Sequence, residues 1–152
     1  MFKKIDITSS ACLPSTDDFL EPGVECYVAG WGKKSFDGGV NVPLTEVGLP
    51  IVDHQTCSKW YSEVGVAVIK SMHICAGYEN GKKDACLGDS GGPLICVENN
   101  KPVLRGVVSW GIGCAAKHRP GIYTRLVQHY QCFNELNGSF PKKIMKKFQN
   151  YV

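Results

Sequence analysis

Asp84-Ala85-Cys86-Leu87-Gly88-Asp89-Ser90-Gly91-Gly92-Pro93 sets one hydroxyl, that of Ser90, among glycines. There the backbone can approach a second molecule closely and turn through conformations that a side chain forbids. The N–H groups of Gly88 and Ser90 can then point at one spot. Two such donors, about 3 Å from a developing oxyanion, stabilise the intermediates of acyl transfer. A glycine-rich turn alone is more often a plain loop, so the weight of the reading falls on the surrounding chain.

That chain has 152 residues, 43% hydrophobic and 20% charged, the composition of one globular domain without low-complexity blocks. Its formal net charge is +3. Lys142, Lys143, Lys146 and Lys147 against Glu135 place all of that excess after residue 133. The body is formally neutral, which is not the basic face that nucleic acid requires. No apolar run reaches the about 20 residues of a membrane-spanning helix. Lys3 and Lys4 are followed by no apolar stretch, so residues 1–13 do not read as a secretory signal.

The eight cysteines are Cys12, Cys26, Cys57, Cys75, Cys86, Cys96, Cys114 and Cys132. They include no C-x-x-C pair, which argues against structural zinc, and neither a metal nor another cofactor is expected. Disulfides in an oxidising, secreted setting are the better reading. Eight cysteines allow on the order of a hundred pairings, and spacing does not choose among them. A disulfide-dependent chain that opens without an export signal is expected to lack its beginning.

Short apolar segments bounded by Gly, Pro, Asn and Asp predict an all-β sandwich or barrel. Strands are expected over Val24–Ala29, Leu44–Val52, Ser71–Gly77 and Gly121–Leu126. Pro93–Val97, the turn Glu98-Asn99-Asn100-Lys101 and Val103–Trp110 read as a hairpin whose strands bury both faces. Asp53 is a good N-cap for one helix running through Cys57 toward Tyr61. After Phe133, Ile144, Met145, Phe148, Tyr151 and Val152 recur at helical spacing, a short basic C-terminal helix that is marginal by itself. Asn137 heads an N-x-S sequon, a glycosylation acceptor in a secreted protein.

Further landmarks recur along the chain: Ala11-Cys12-Leu13-Pro14, Gly30-Trp31-Gly32, Ile74-Cys75-Ala76-Gly77, Gly88–Pro93, Ser109-Trp110-Gly111 and Gly121-Ile122-Tyr123-Thr124-Arg125. In this order and spacing the sequence resembles the trypsin-like serine proteases of the chymotrypsin fold, over roughly residues 11–130. The resemblance implies the second, six-stranded antiparallel barrel of a two-barrel domain. Residues 1–10 are then a remnant of the first barrel or an interdomain segment, 11–133 the C-terminal barrel and 134–152 a basic tail. It also implies the disulfides Cys26–Cys96, Cys57–Cys75 and Cys86–Cys114. Cys12 would tie to an upstream chain or propeptide, with Cys12–Cys132 as the alternative.

Carried over position by position, Ser90 is the nucleophile and Gly88 and Ser90 supply the oxyanion hole. Asp84 lies at the base of the primary specificity pocket, Gly111 and Gly121 form its walls, and Ser109, Trp110 and Gly111 run antiparallel to the substrate backbone. Protein or peptide substrates with Arg or Lys before the scissile bond follow, because a carboxylate holds a guanidinium bidentately. Ala85 stands where many relatives have Ser, which implies Arg over Lys. Pro120 stands where sodium-regulated relatives carry Tyr, so sodium activation is not expected.

The departures are as informative. The family order is His, Asp, Ser, yet His54 and His73 lie in second-barrel segments, and Asp6 is too close to Ala11 to match the catalytic aspartate. His118 and His129 follow the serine. The family domain takes roughly 200–250 residues, so a partial domain, inactive alone, is expected. Asp89 matches the aspartate that pairs with a newly cleaved Ile or Val terminus. No Ile-Val-Gly-Gly-like start is present, so a zymogen-like arrangement around Gly88 is expected, together with an uncovered apolar face. Tyr130 and Phe133 stand in place of the usual Trp-bearing helix. The alternative function is a non-catalytic homologue that binds partners through the pocket or the tail.

Overall fold

The computed structural model describes residues 11–14, 20–39, 43–66 and 69–126. Strand β1, Glu25–Gly30, sets the pattern, with Cys26 and Val28 buried and Glu25 exposed. Period-two alternation of this kind gives a strand one core face. It pairs antiparallel with β2, Thr45–Val52, where Leu49 and Ile51 are buried. The chain then forms α1, His54–Ser62, and β3, His73–Ala76. The hairpin β4, Pro93–Glu98, and β5, Lys101–Trp110, comes next, and β6, Gly121–Arg125, follows. The strands close into an antiparallel barrel of order β1-β2-β3-β6-β5-β4.

Local chemistry explains where these elements start and turn. The Asp53 carboxylate accepts the Thr56 N–H at 2.8 Å, capping α1, and the Thr56 side chain together with that N–H holds its pKa below the usual carboxylate range. Asn99 and Asn100 take left-handed φ of 47° and 62°, the geometry of a two-residue hairpin turn whose twist matches its strands. Glu98 and the buried Arg105 bridge this hairpin through two hydrogen bonds.

One core cluster fills the barrel with Cys26, Val28, Leu49, Ile51, Ile74, Ala76, Leu94, Cys96 and Tyr123. A second joins Cys57 and Tyr61 of α1 to Ile69, Cys75 and Ile122. The disulfides Cys26–Cys96, Cys57–Cys75 and Cys86–Cys114 are formed, the pairs that the resemblance implies. Cys26 and Cys96 face each other across β1 and β4, and Cys57–Cys75 pins α1 to β3. Loop-closure entropy values such links at roughly 3 to 4.5 kcal/mol each. Cys12 carries a free, exposed thiol.

One expectation changes. The hairpin does not bury both faces of its strands: Leu94 and Cys96 are buried whereas Val97 is 46% exposed, because only one side of each strand meets the barrel interior. The short C-terminal helix and the basic tail 134–152, with Asn137, Cys132 and His129, lie outside the described residues, as does the 1–10 remnant. The large apolar side chains left exposed include Trp31, Phe36, Leu87 and Ile112. No helix among the described residues is long and apolar enough to cross a membrane.

Candidate active site

The segment from Asp84 to Gly92 leads into β4 and is held by its neighbours more than by itself. Gly91 N–H donates to Val108 O at 2.9 Å and Val108 N–H to Gly92 O at 2.9 Å, joining the loop to β5. Gly88 takes φ +100° and Gly91 φ +83°, values that glycine adopts without strain. Ser90 is exposed between them. Among the described residues neither the Gly88 nor the Ser90 N–H has an internal acceptor, so two backbone donors flank an exposed hydroxyl.

Asp89 turns away from that hydroxyl. Its carboxylate accepts Gly32 N–H at 2.8 Å and Cys86 N–H at 3.0 Å. A Cβ on Gly30 would stand 2.0 Å from Asp89 Oδ1, and one on Gly32 2.5 Å from both carboxylate oxygens. The Gly30-Trp31-Gly32 turn is therefore glycine-flanked because a half-buried carboxylate occupies the space. Gly32→Ala is expected to evict it, lose both bonds and destabilise the fold by roughly 1–3 kcal/mol. Urea denaturation checks this, and an unchanged midpoint would remove Asp89 from the scaffold of the loop.

Asp84 has a different environment. Its Oδ2 accepts Ala115 N–H at 3.1 Å, but its Oδ1 is buried and has no partner among the described residues. A Cβ on Gly121 would meet that oxygen at 2.7 Å and Tyr123 Oη at 3.0 Å. The Tyr123 hydroxyl is also buried and unbonded. Burial pushes the Asp84 carboxyl up to about 6 despite the Ala115 bond. Burial, then the Asp84 charge, pushes Tyr61 up to about 12, and burial likewise raises Tyr123. The arrangement withholds water from one carboxylate oxygen, and no cation among the described residues pairs with it. A planar cationic group could satisfy it.

Ser109 and Gly111 are exposed at the end of β5, where the β5–β6 pairing bulges between Val108 and Trp110. Trp110 packs edge-on against Tyr61 at 5.3 Å. Gly121 reaches Asp84, whereas the nearest neighbour of a Cβ on Gly111 would be Gly113 O at 3.8 Å. Ala85 lines a cleft of ≈ 220 Å³ with Asp84, Asp89, Cys86, Gly30 and Lys33. That cleft does not include Gly121 or Ser109–Gly111 in its wall, so it meets the two carboxylates from another side. The described residues contain no cluster able to hold a metal ion.

None of the described histidines bonds Ser90, whose hydroxyl has no hydrogen-bond partner among the described residues. His54 is exposed at the start of α1. His73 Nδ1 accepts Lys70 N–H at 3.2 Å, and burial followed by the charges of Lys70 and His54 lowers its pKa. His118 lies between Glu63 and Glu79.

Sequence reasoning missed Tyr61, whose hydroxyl donates to Pro120 O at 2.6 Å. It also left Tyr123 without a role, although period two along β6 puts residues 121 and 123 on one face, a signal that was available. Against this geometry, the family model described as Trypsin matches residues 2–132. The barrel, the glycine-flanked Ser90 and the match over most of the chain lead to one assignment: this chain belongs to the trypsin family of serine proteases.

Proposed function

We propose that the chain supplies the nucleophile and the primary specificity pocket of a secreted trypsin-like endopeptidase that cleaves after Arg in preference to Lys. The partnerless, buried Oδ1 of Asp84 carries this reading. A buried carboxylate beside Gly121 and Tyr123 favours a planar, bidentate cation over a hydrated point charge. Ala85 adds no hydroxyl that would help to hold an ammonium. Gly88 and Ser90 N–H groups serve the oxyanion, and Ser109 to Gly111 align the peptide.

Asp89 belongs to activation in this reading: an α-ammonium entering the ≈ 220 Å³ cleft would find its carboxylate there. The described residues hold no base for Ser90, so a histidine from another segment must act before the site hydrolyses anything. The free Cys12 is the attachment point for an upstream chain. Three disulfides among the described residues favour an extracellular setting.

Fluorescence titration with p-aminobenzamidine, in competition with n-butylammonium, tests the pocket. The amidinium is expected to bind about tenfold or more tightly than the ammonium. Equal affinities would remove the Arg preference, and binding of neither would remove the pocket. A second reading, a non-catalytic homologue that binds basic peptides, is favoured by the unpartnered Ser90 hydroxyl. It predicts the same titration and differs only in whether an upstream barrel restores turnover.

A further inference from the structure

The wall that runs from Cys114 to Gly121 is an irregular segment with two non-glycine residues in the left-handed region, Ala115 at φ 56° and His118 at φ 57°. Such conformations persist only where the surroundings hold them. The holds are visible. Cys114 is bonded to Cys86, Ala115 N–H donates to Asp84, and Lys82 N–H donates to Ala115 O at 2.9 Å. Pro120 O accepts the Tyr61 hydroxyl. Between these ties stands His118, whose N–H donates to Glu79 O at 2.9 Å.

The His118 ring joins three elements. It stacks on Trp60 of α1, with centroids 5.0 Å apart and planes within 3°. Its Nδ1 lies 3.3 Å from Glu63 Oε2, just past the end of α1. Its Nε2 lies 3.5 Å from Glu79 Oε1 and is itself inaccessible. Charged groups on the surrounding elements include Lys59 and Glu63 by α1, Glu79, Lys82 and Lys83 on the 78–83 turn, and Lys117 and Arg119 beside the ring. Among the described residues only the two glutamates approach its nitrogens, while Arg119 bonds the His118 carbonyl.

A neutral imidazole has one N–H and one lone pair. With a carboxylate at each nitrogen, the neutral ring must turn that lone pair toward an anion. Only the imidazolium offers a donor to both. We infer that His118 is a positioning residue for the pocket wall, its ring clamping the 111–120 segment to α1 and to the 78–83 turn. Its effect on ligand binding rests on the reading of Asp84 as the pocket base, whereas the clamp itself does not.

The full 152-residue chain would be compared with His118→Asn, neutral and tolerant of left-handed φ, and with His118→Lys, charged throughout. The first readout is amide exchange at His118 and Lys82, corrected for intrinsic base catalysis. At one fixed pH, protection is expected to fall two- to fivefold in His118→Asn, which loses the stack on Trp60 and the carboxylate contacts, and less in His118→Lys, which keeps a donor for them, as two partly exposed ion pairs imply. The second is p-aminobenzamidine affinity, which should weaken by a similar factor in His118→Asn. Equal protection in parent and His118→Asn would overturn the clamp. Absence of amidine binding, with the exchange difference intact, would instead overturn the pocket reading and leave the clamp standing.

Discussion

The 152-residue chain, folded and oxidised, is expected to leave an arginine peptide ester unhydrolysed and Ser90 unlabelled by a fluorophosphonate probe. An alcohol attacks an acyl or phosphonyl centre only as a proton is taken from it. No nitrogen base bonds the Ser90 hydroxyl among the described residues, and His73 and His118 have partners elsewhere. Loss of the base from a Ser-His-Asp triad costs on the order of 10⁶ in kcat, about 8 kcal/mol. The free Gly88 and Ser90 amides do not replace it, since an oxyanion hole contributes roughly 10²–10³ per donor and acts only once attack has begun. Stoichiometric labelling that disappears in Ser90→Ala would overturn this expectation. Labelling that appears only when a histidine-bearing barrel is supplied in the same polypeptide would support it.

The Ser90 loop and the strands were legible because their determinants are local. Gly88 and Gly91 mark positive φ, Asp53 caps the following turn, and Cys26 and Val28 alternate on one face. Disulfide pairing was not local. It followed from the resemblance, and the structure shows the physical basis in the direct register of Cys26 with Cys96. The excess burial assigned to the hairpin came from reading apolar runs such as Leu94–Val97 as two buried faces; composition cannot tell which side of a strand meets the core. The holds on the 114–121 segment were illegible for a further reason. Tyr61 and Pro120 are 59 residues apart, as Glu63 and His118 are 55, and only the closed barrel brings them together. The same closure leaves Asp84 Oδ1 without a partner, a property of the folded state that no sequence pattern states.

Asp84→Asn is expected to separate stability from binding. In the folded chain burial raises the Asp84 carboxyl to about 6, against about 4 for an exposed aspartate. The folded state therefore binds more protons than the unfolded chain between those values. The stability of the protonated form is fully present below about pH 4 and is lost as pH rises through about 6, a loss of roughly 3 kcal/mol. Asparagine keeps an oxygen for the Ala115 N–H and carries no charge to desolvate. At pH 8 the variant should unfold at higher urea than its parent, with the gap closing toward pH 4. Binding should move the opposite way. A guanidinium or amidinium recovers the desolvated charge, so its removal should weaken p-aminobenzamidine about 10²- to 10³-fold. In the parent, affinity should fall about tenfold per pH unit below about 6 as the carboxyl protonates. A variant that binds the amidine within a few-fold of its parent would show that Asp84 is not the ligand's partner. One less stable than its parent at pH 8 would show that the orphaned oxygen is satisfied in solution. If both shifts occur as stated, the ionised Asp84 carboxylate is maintained at a cost to the fold and justified only by a cation that arrives from outside.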